Sequence, residues 1–332
     1  METRRFLSAL LAIGAGAAYK DRPRGSVIRK KSRATGDMER TSLYQNGSVA
    51  EVRALLSRGS PRASGFIVTL YGDVAAPRGG TLSMTTLIES CAVHGLSESL
   101  VRTAVSRLVE NGRLVGERLG RKSYYRLTKA AETEFSGAAE ILYSPPPRPR
   151  RFLLSLGARA LSEGWVRIGA EAALAPEGAT RPDCAILATE ALAGVDNLAE
   201  FAGRYWPLDA VAAAYRDFIE TFSTVEAALA GGSPPDGATS LALRLRLVHL
   251  FRAAALADPR LPADALPEDW PGDAARRLFV MLYLRVAAAA DRHIGLTFRN
   301  SDGFLPESTT MTAFRCDAMR REIAEQEKAA GR

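Results

Sequence analysis

The feature that most constrains this chain is a pair of short helical patterns followed at once by a basic hairpin pattern, all between residues 83 and 127. In the first pattern Met84, Leu87, Ile88 and Cys91 fall at i, i+3, i+4 and i+7, one face of a helix. Thr81 or Ser83 caps its start. His94-Gly95-Leu96 turns the chain, and Ser97 with Glu98 opens a second helix, the acid complementing its positive end. Leu100, Val101, Ala104, Val105 and Leu108 make that helix's apolar stripe, and Asn111-Gly112 closes it. Residues 114–118 then alternate as a strand does, residues 119–122 reverse the chain, and residues 123–127 return as a partner strand.

Two helices, a tight turn and a hairpin predict a winged helix-turn-helix, in which the second helix reads DNA. Its face opposite the stripe carries Ser99, Arg102, Thr103, Ser106 and Arg107, with Ser97 at the cap. A guanidinium can fork onto guanine O6 and N7, while hydroxyls serve bases or phosphates. The hairpin adds Arg118, Arg121, Lys122 and Arg126 for backbone phosphates. Tyr124 and Tyr125 point to opposite sides, one into the core and one toward the sugar-phosphate backbone; Tyr124 is counted among the contacts. The whole chain agrees in sign: net charge is +7 and the pI about 9.5, a balance suited to polyanionic partners.

The rest divides by composition. With 332 residues and 47% apolar content the chain has room for two or three cores. Residues 1–48 read as a basic leader: Arg4 and Arg5 precede a short apolar run, residues 20–33 are basic, and Met38 is an alternative start. The run resembles a signal peptide but is too short to span a bilayer, and nothing later is apolar for longer, so the expectation is a cytoplasmic protein with no membrane contact. Residues 49–143 form the DNA-binding unit, starting with a short helix at 49–56; the apolar run 66–71 fits strand or helix. The Pro-rich break at 144–147 marks a boundary. Strands are expected at 152–156, 165–168 and 184–188 within a middle unit, residues 148–195. Residues 196–292 read as helical, with a Gly/Pro linker at 231–235 and helices at 241–257 and 273–291, and residues 293–332 as a tail. Cys91, Cys184 and Cys316 and the three histidines lack metal-ligand spacing, so neither metal nor disulfide framework is expected.

Specific stretches resemble the PaaX family of transcriptional regulators, repressors of phenylacetic acid degradation. They are residues 66–73 (FIVTLYGD), 76–80 (APRGG), 100–108 (LVRTAVSRL) and 120–128 (GRKSYYRLT). Trp206-Pro-Leu-Asp209, Tyr215-Arg-Asp-Phe218 and the connector from Leu256 through Pro262 to Gly272 are similar too, so the resemblance runs from about residue 50 to 291. It implies an α+β chain: an N-terminal winged helix, a small ferredoxin-like (Cas2-like) middle domain and an α-helical C-terminal domain. It also implies a homodimeric, non-enzymatic repressor of aromatic-acid catabolic genes, released from double-stranded operator DNA by an aromatic acyl-CoA such as phenylacetyl-CoA. Two stretches depart from the family pattern: residues 148–152 stand in place of a Trp-rich strand, and residues 248–253 replace a more aromatic and basic run.

An acyl-CoA needs cations for its phosphates and an apolar slot for its acyl group. Arg204, Tyr205, Trp206, His249 and Arg252 are the residues expected to supply them, while Trp270 reads as a packing anchor. Two other functions compete: a DNA-bound architectural or partner-recruiting protein without a small ligand, and a metal-dependent nuclease using Glu171, Asp183 and Glu190 of the middle unit.

Overall fold

The computed structural model describes residues 49–157, 160–190 and 196–330; the leader assigned to residues 1–48 lies outside them. The fold is mixed α+β, with two small antiparallel sheets and a helical C-terminal region. Helix α1 covers residues 49–57, and α2 (Ala63–Leu70) runs into a π turn, Tyr71–Ala75. The apolar run 66–71 is therefore helical. Phe66, Ile67, Leu70 and Tyr71 are all buried, so this helix lies inside the molecule, where an all-round apolar surface is stable.

Strand β1 (Thr81–Ser83) leads into α3 (Met84–Ala92), α4 (Glu98–Glu110), β2 (Leu114–Leu119), β3 (Lys122–Leu127) and α5 (Lys129–Tyr143). The first sheet has the order β1-β3-β2. The second contains β4 (Phe152–Leu156), β5 (Val166–Arg167), β6 (Ala172–Pro176) and β7 (Ala185–Thr189), in the antiparallel order β5-β6-β4-β7. That is the strand order of a split βαβ sheet. The crossover helices that a ferredoxin-like domain adds are not seen among the described residues of segments 157–165 and 177–184. Those segments are shorter than a helical crossover requires.

The helical region comprises α6 (Leu198–Gly203), α7 (Leu208–Ala230), α8 (Gly237–Ala255), α9 (Gly272–Thr297) and α10 (Thr310–Ala330). The segment after residue 292, read from the sequence as a tail, thus finishes α9 and forms α10; Met319 is buried in the helical core. α8 is the central element, buried over most of its length. On one side Leu241 and Leu245 join the core built by Phe66, Leu70, Leu87, Val105, Leu108 and Leu127. On the other, Leu243, Leu247 and Phe251 pack with Phe218, Phe222 and Phe279.

A buried ionic network ties these parts together. Asp73, in the turn after α2, accepts hydrogen bonds from Tyr143 (2.9 Å) and Tyr283 (3.0 Å). It also pairs with Arg244 of α8 (2.9 Å) and Arg315 of α10 (3.2 Å). Burial alone would raise the Asp73 carboxyl, but the two guanidiniums and two phenols hold it below the usual carboxylate range. Arg244 reaches on to Asp291 (2.7 Å), which Arg78 also meets at 2.8 Å. Each of these five charges has an opposite partner, the condition under which buried ions are tolerated.

Candidate nucleic-acid interface

Helix α3 starts where Ser83 Oγ accepts from Thr86 N at 3.1 Å. Its inward face is Met84, Leu87 and Cys91. The turn that follows depends on Gly95, whose φ of +77° suits glycine; a Cβ there would also lie 2.5 Å from Ser60 Oγ and oblige that hydroxyl to move. Leu96 plugs the turn into the core, and Ser97 Oγ accepts from Leu100 N to cap α4. Val101, Ala104, Val105 and Leu108 face inward. Leu100, assigned to that stripe by periodicity, is 53% exposed instead. It sits in the first turn, beyond the edge of the partner surface.

The outward face of α4 carries Ser99, Arg102, Thr103, Ser106 and Arg107, all exposed. Arg102 pairs with Glu98 at 2.8 Å, Thr103 Oγ1 donates to Ser99 O at 2.9 Å and Ser106 Oγ to Glu110 at 3.0 Å. An exposed i,i+4 pair contributes only a few tenths of a kcal/mol, so Arg102 can exchange Glu98 for another anion at little cost.

Strands β2 and β3 pair in register from Leu114 opposite Leu127 to Leu119 opposite Lys122, leaving Gly120 and Arg121 as the hairpin loop. Gly120 has φ +61° and Arg121 does not share the positive φ, the pattern of a type II′ turn. Arg118, Arg121, Lys122 and Arg126 are exposed along this ribbon. Of the two tyrosines, Tyr124 is the buried one, at 8% exposure, and offers little surface to a partner. Tyr125 is half-buried and lines the groove between α4 and the hairpin with Arg102, Ser106, Gly116 and Arg118. The absence of a side chain at Gly116 makes room for the Tyr125 ring, since a Cβ there would sit 3.0 Å from it. Together α4 and the hairpin expose six cations against the carboxylates Glu98, Glu110 and Glu117, a surface shaped for a polyanion.

The five residues proposed for an acyl-CoA do not meet. Trp206 is buried beside Phe152 (ring centroids 5.7 Å apart) at the second sheet, with Tyr205 next to it, and Arg204 is exposed and paired with Glu200. His249 and Arg252 lie on α8 against α2, where His249 Nδ1 is 2.9 Å from Thr69 Oγ1 and Arg252 donates to Gly65 O. Among the described residues no three His, Cys, Asp or Glu side chains gather as a metal site, and no helix is long and apolar enough to cross a membrane.

Comparison with known proteins locates this surface within a family. A model described as PaaX-like protein matches residues 62–131, and one described as PaaX-like protein C-terminal domain matches residues 206–295. The transcriptional repressor PaaX of Escherichia coli (strain K12) is 31% identical over 285 residues, covering 73% of this chain and 85% of that protein. A solved structure, the uncharacterized protein Rv0674 from Mycobacterium tuberculosis, aligns with 69% of this chain and 97% of its own, at a TM-score of 0.42 and 19% identity. By the two family models and the extent of the match to the Escherichia coli repressor, the chain belongs to the PaaX family.

Proposed function

We propose that this protein is a duplex-DNA-binding transcriptional repressor of aromatic-acid, phenylacetate-type catabolic genes, released by an aromatic acyl-CoA and acting without enzymatic activity. The observation that carries the reading is the exposed basic and hydroxyl face of α4, flanked on one side by the basic hairpin. In this reading residues 83–127 are a winged helix-turn-helix within a DNA-contacting part, residues 49–143. A sheet-based middle part spans residues 148–195 and a helical control part residues 196–292. α4 enters the major groove, whose width admits one helix, and the hairpin lies along the backbone. Arg102 and Arg107 read base edges, while Arg118, Arg121, Lys122 and Arg126 hold phosphates. A homodimer would present two α4 helices to half-sites one helical turn, about 34 Å, apart. Such a protein works where the chromosome is, in the cytoplasm. The name of the Escherichia coli relative, a transcriptional repressor, supports the reading.

The test is a mobility-shift titration on the promoter beside its own gene, across a salt series. Arg102→Ala should weaken specific binding by about 1–3 kcal/mol and relax the choice of base at one position. Lys122→Ala should weaken binding to all sequences alike and lower the salt slope by roughly one. Phenylacetyl-CoA should dissolve the complex. Equal affinity of wild type and both variants for every duplex would sink the assignment of this surface.

A further inference from the structure

Tyr215 and the connector from Asp258 to Gly272 line one cavity, apart from the surface formed by α4 and the hairpin. It lies between the end of α5, the Pro-rich linker and the connector from α8 to α9. It encloses about 170 Å³, close to the size of an apolar cavity that accepts benzene, about 150 Å³. Its apolar wall includes Tyr215, Phe251 and Trp270, with Tyr215 edge-on to Trp270 at 6.1 Å. Trp270 packs against the helical core and the cluster at the second sheet, as a packing anchor would, and also faces this cavity.

The polar side of the cavity is lopsided. Asp258 is consumed locally, accepting from Tyr215 Oη at 2.9 Å and from Arg260 N at 2.8 Å. Arg276 is held by both carboxylate oxygens of Glu322, at 3.0 and 2.7 Å. The guanidiniums of Arg148 and Arg260 remain, neither in an ion pair among the described residues; Arg260 donates to a neutral carbonyl, Ile141 O, at 3.3 Å, and Asp273 is the other carboxylate of the lining. Arg260 is also the one described non-glycine residue with positive φ, +55°, a conformation that glycine would adopt without strain. The chain keeps a cationic side chain at a place where the backbone favours having none.

We propose that this cavity is a binding site for a ligand with a compact aromatic group and an anionic end. The ring lies among Tyr215, Phe251 and Trp270, and the anion is met by Arg148 and Arg260. The inference deepens the ligand-responsive part of the function proposed above and rests on it. It also replaces the five residues named from the sequence by a different set.

Two probes separate the site from the effector. The first is 8-anilinonaphthalene-1-sulfonate, an aromatic sulfonate whose emission is excited by energy transfer from a nearby tryptophan. One saturable site per chain is expected, with the transfer strongly reduced in Trp270→Phe. Ala263→Trp places a large side chain at the exposed rim of the cavity and should weaken binding roughly tenfold or more. Arg260→Gly should weaken it roughly tenfold by removing a charged partner, while leaving the thermal midpoint unchanged or higher because φ +55° suits glycine. A dye affinity unaltered in both variants overturns the proposal. The second probe is phenylacetyl-CoA, expected to displace the dye and to release operator DNA from the wild type but not from Ala263→Trp. If it releases DNA equally from both, the effector reading stands and the cavity is rejected. If the dye binds as described and phenylacetyl-CoA neither displaces it nor releases DNA, the cavity stands and the effector reading fails.

Discussion

His94 shows how much a single side chain at the α3–α4 turn can impose. It is 1% exposed, its ring lies 4.2 Å from that of Phe66, and neither ring nitrogen has a hydrogen-bond partner among the described residues. Burial first, then the positive field of Arg246, pushes its pKa down to about 3. His249, behind it, is pushed down to about 3 by burial and by Arg252, Arg246 and His94. Both are neutral in the fold and bind a proton near pH 6.5 once unfolded. Between pH 6.5 and 3 the unfolded chain therefore holds more protons, and stability falls as pH falls through that window. At pH 5 the loss is about 2 kcal/mol per histidine. Urea unfolding at pH 7.5 and pH 5 measures it. His94→Leu should remove about half of the difference, because an apolar side chain replaces a ring whose nitrogens bond to nothing. An unchanged pH dependence in both His94→Leu and His249→Leu would show that the rings are solvated. The sequence alone could not have given this: an isolated histidine between helices looks the same whether it is buried or exposed. The two tyrosines pose the same problem, since alternation sets them on opposite faces without saying which face is inside.

At the scale of elements, what the sequence left out is the role of α10. Its Arg315 is buried, donates to Asp73 and to Tyr283 at 3.2 Å, and lies 3.5 Å above the Tyr143 ring. Glu322, about two turns on, is the partner of Arg276, which also donates to Leu142 O. Arg315→Met should therefore cost about 3–5 kcal/mol, the usual effect of removing one member of a buried ion network. The measurement is the midpoint of denaturant unfolding, and a loss under 1 kcal/mol would mean that Arg244 alone satisfies Asp73. Helices α3 and α4 were legible because each has a one-sided apolar stripe, a serine cap and a glycine at its end. The hairpin was legible from its alternation and its Gly-containing turn. α10 was not, because its inward face mixes the buried charges Arg315 and Glu322 with Cys316, Ala318 and Met319, and a helix with so many charges looks solvated in a sequence. α8 hides its role for a related reason: arginines alternating with leucines from 243 to 247 suggest an exposed side, yet Arg244 and Arg246 are both buried. The weak second sheet, with the two-residue β5 and the Ala-rich β6, offers too little pattern for β6 to be found.

For the whole molecule, the proposed division into a DNA-contacting part and a control part does not correspond to separate cores. Leu241, Leu245, Ala290, Ile294, Phe298 and Leu305 complete the core of the segment that carries α3 and α4. Arg78 donates to the carbonyls of Pro306 and Glu307 at 2.9 Å, and Ser83 N to Arg299 O at 3.0 Å, at the base of β1 and α3. A fragment limited to residues 49–143 would lose those six side chains from the core around Phe66, Ile67 and Leu70 and leave Asp73 without Arg244, Arg315 or Tyr283. It should lack cooperative unfolding and give a poorly dispersed amide spectrum. The full chain should instead lose the secondary structure of α2–α5 and of α7–α9 in one transition, with calorimetric and van't Hoff enthalpies agreeing for that part. A fragment with dispersed amide resonances and its own sigmoidal melt would show that the shared core is dispensable. If the core is indispensable, α8 serves both places: Leu241 and Leu245 pack in the core beneath α4, and Phe251 lines the cavity between α5 and the connector. A ligand in that cavity would then touch the same helix that supports α4, the helix proposed to read DNA.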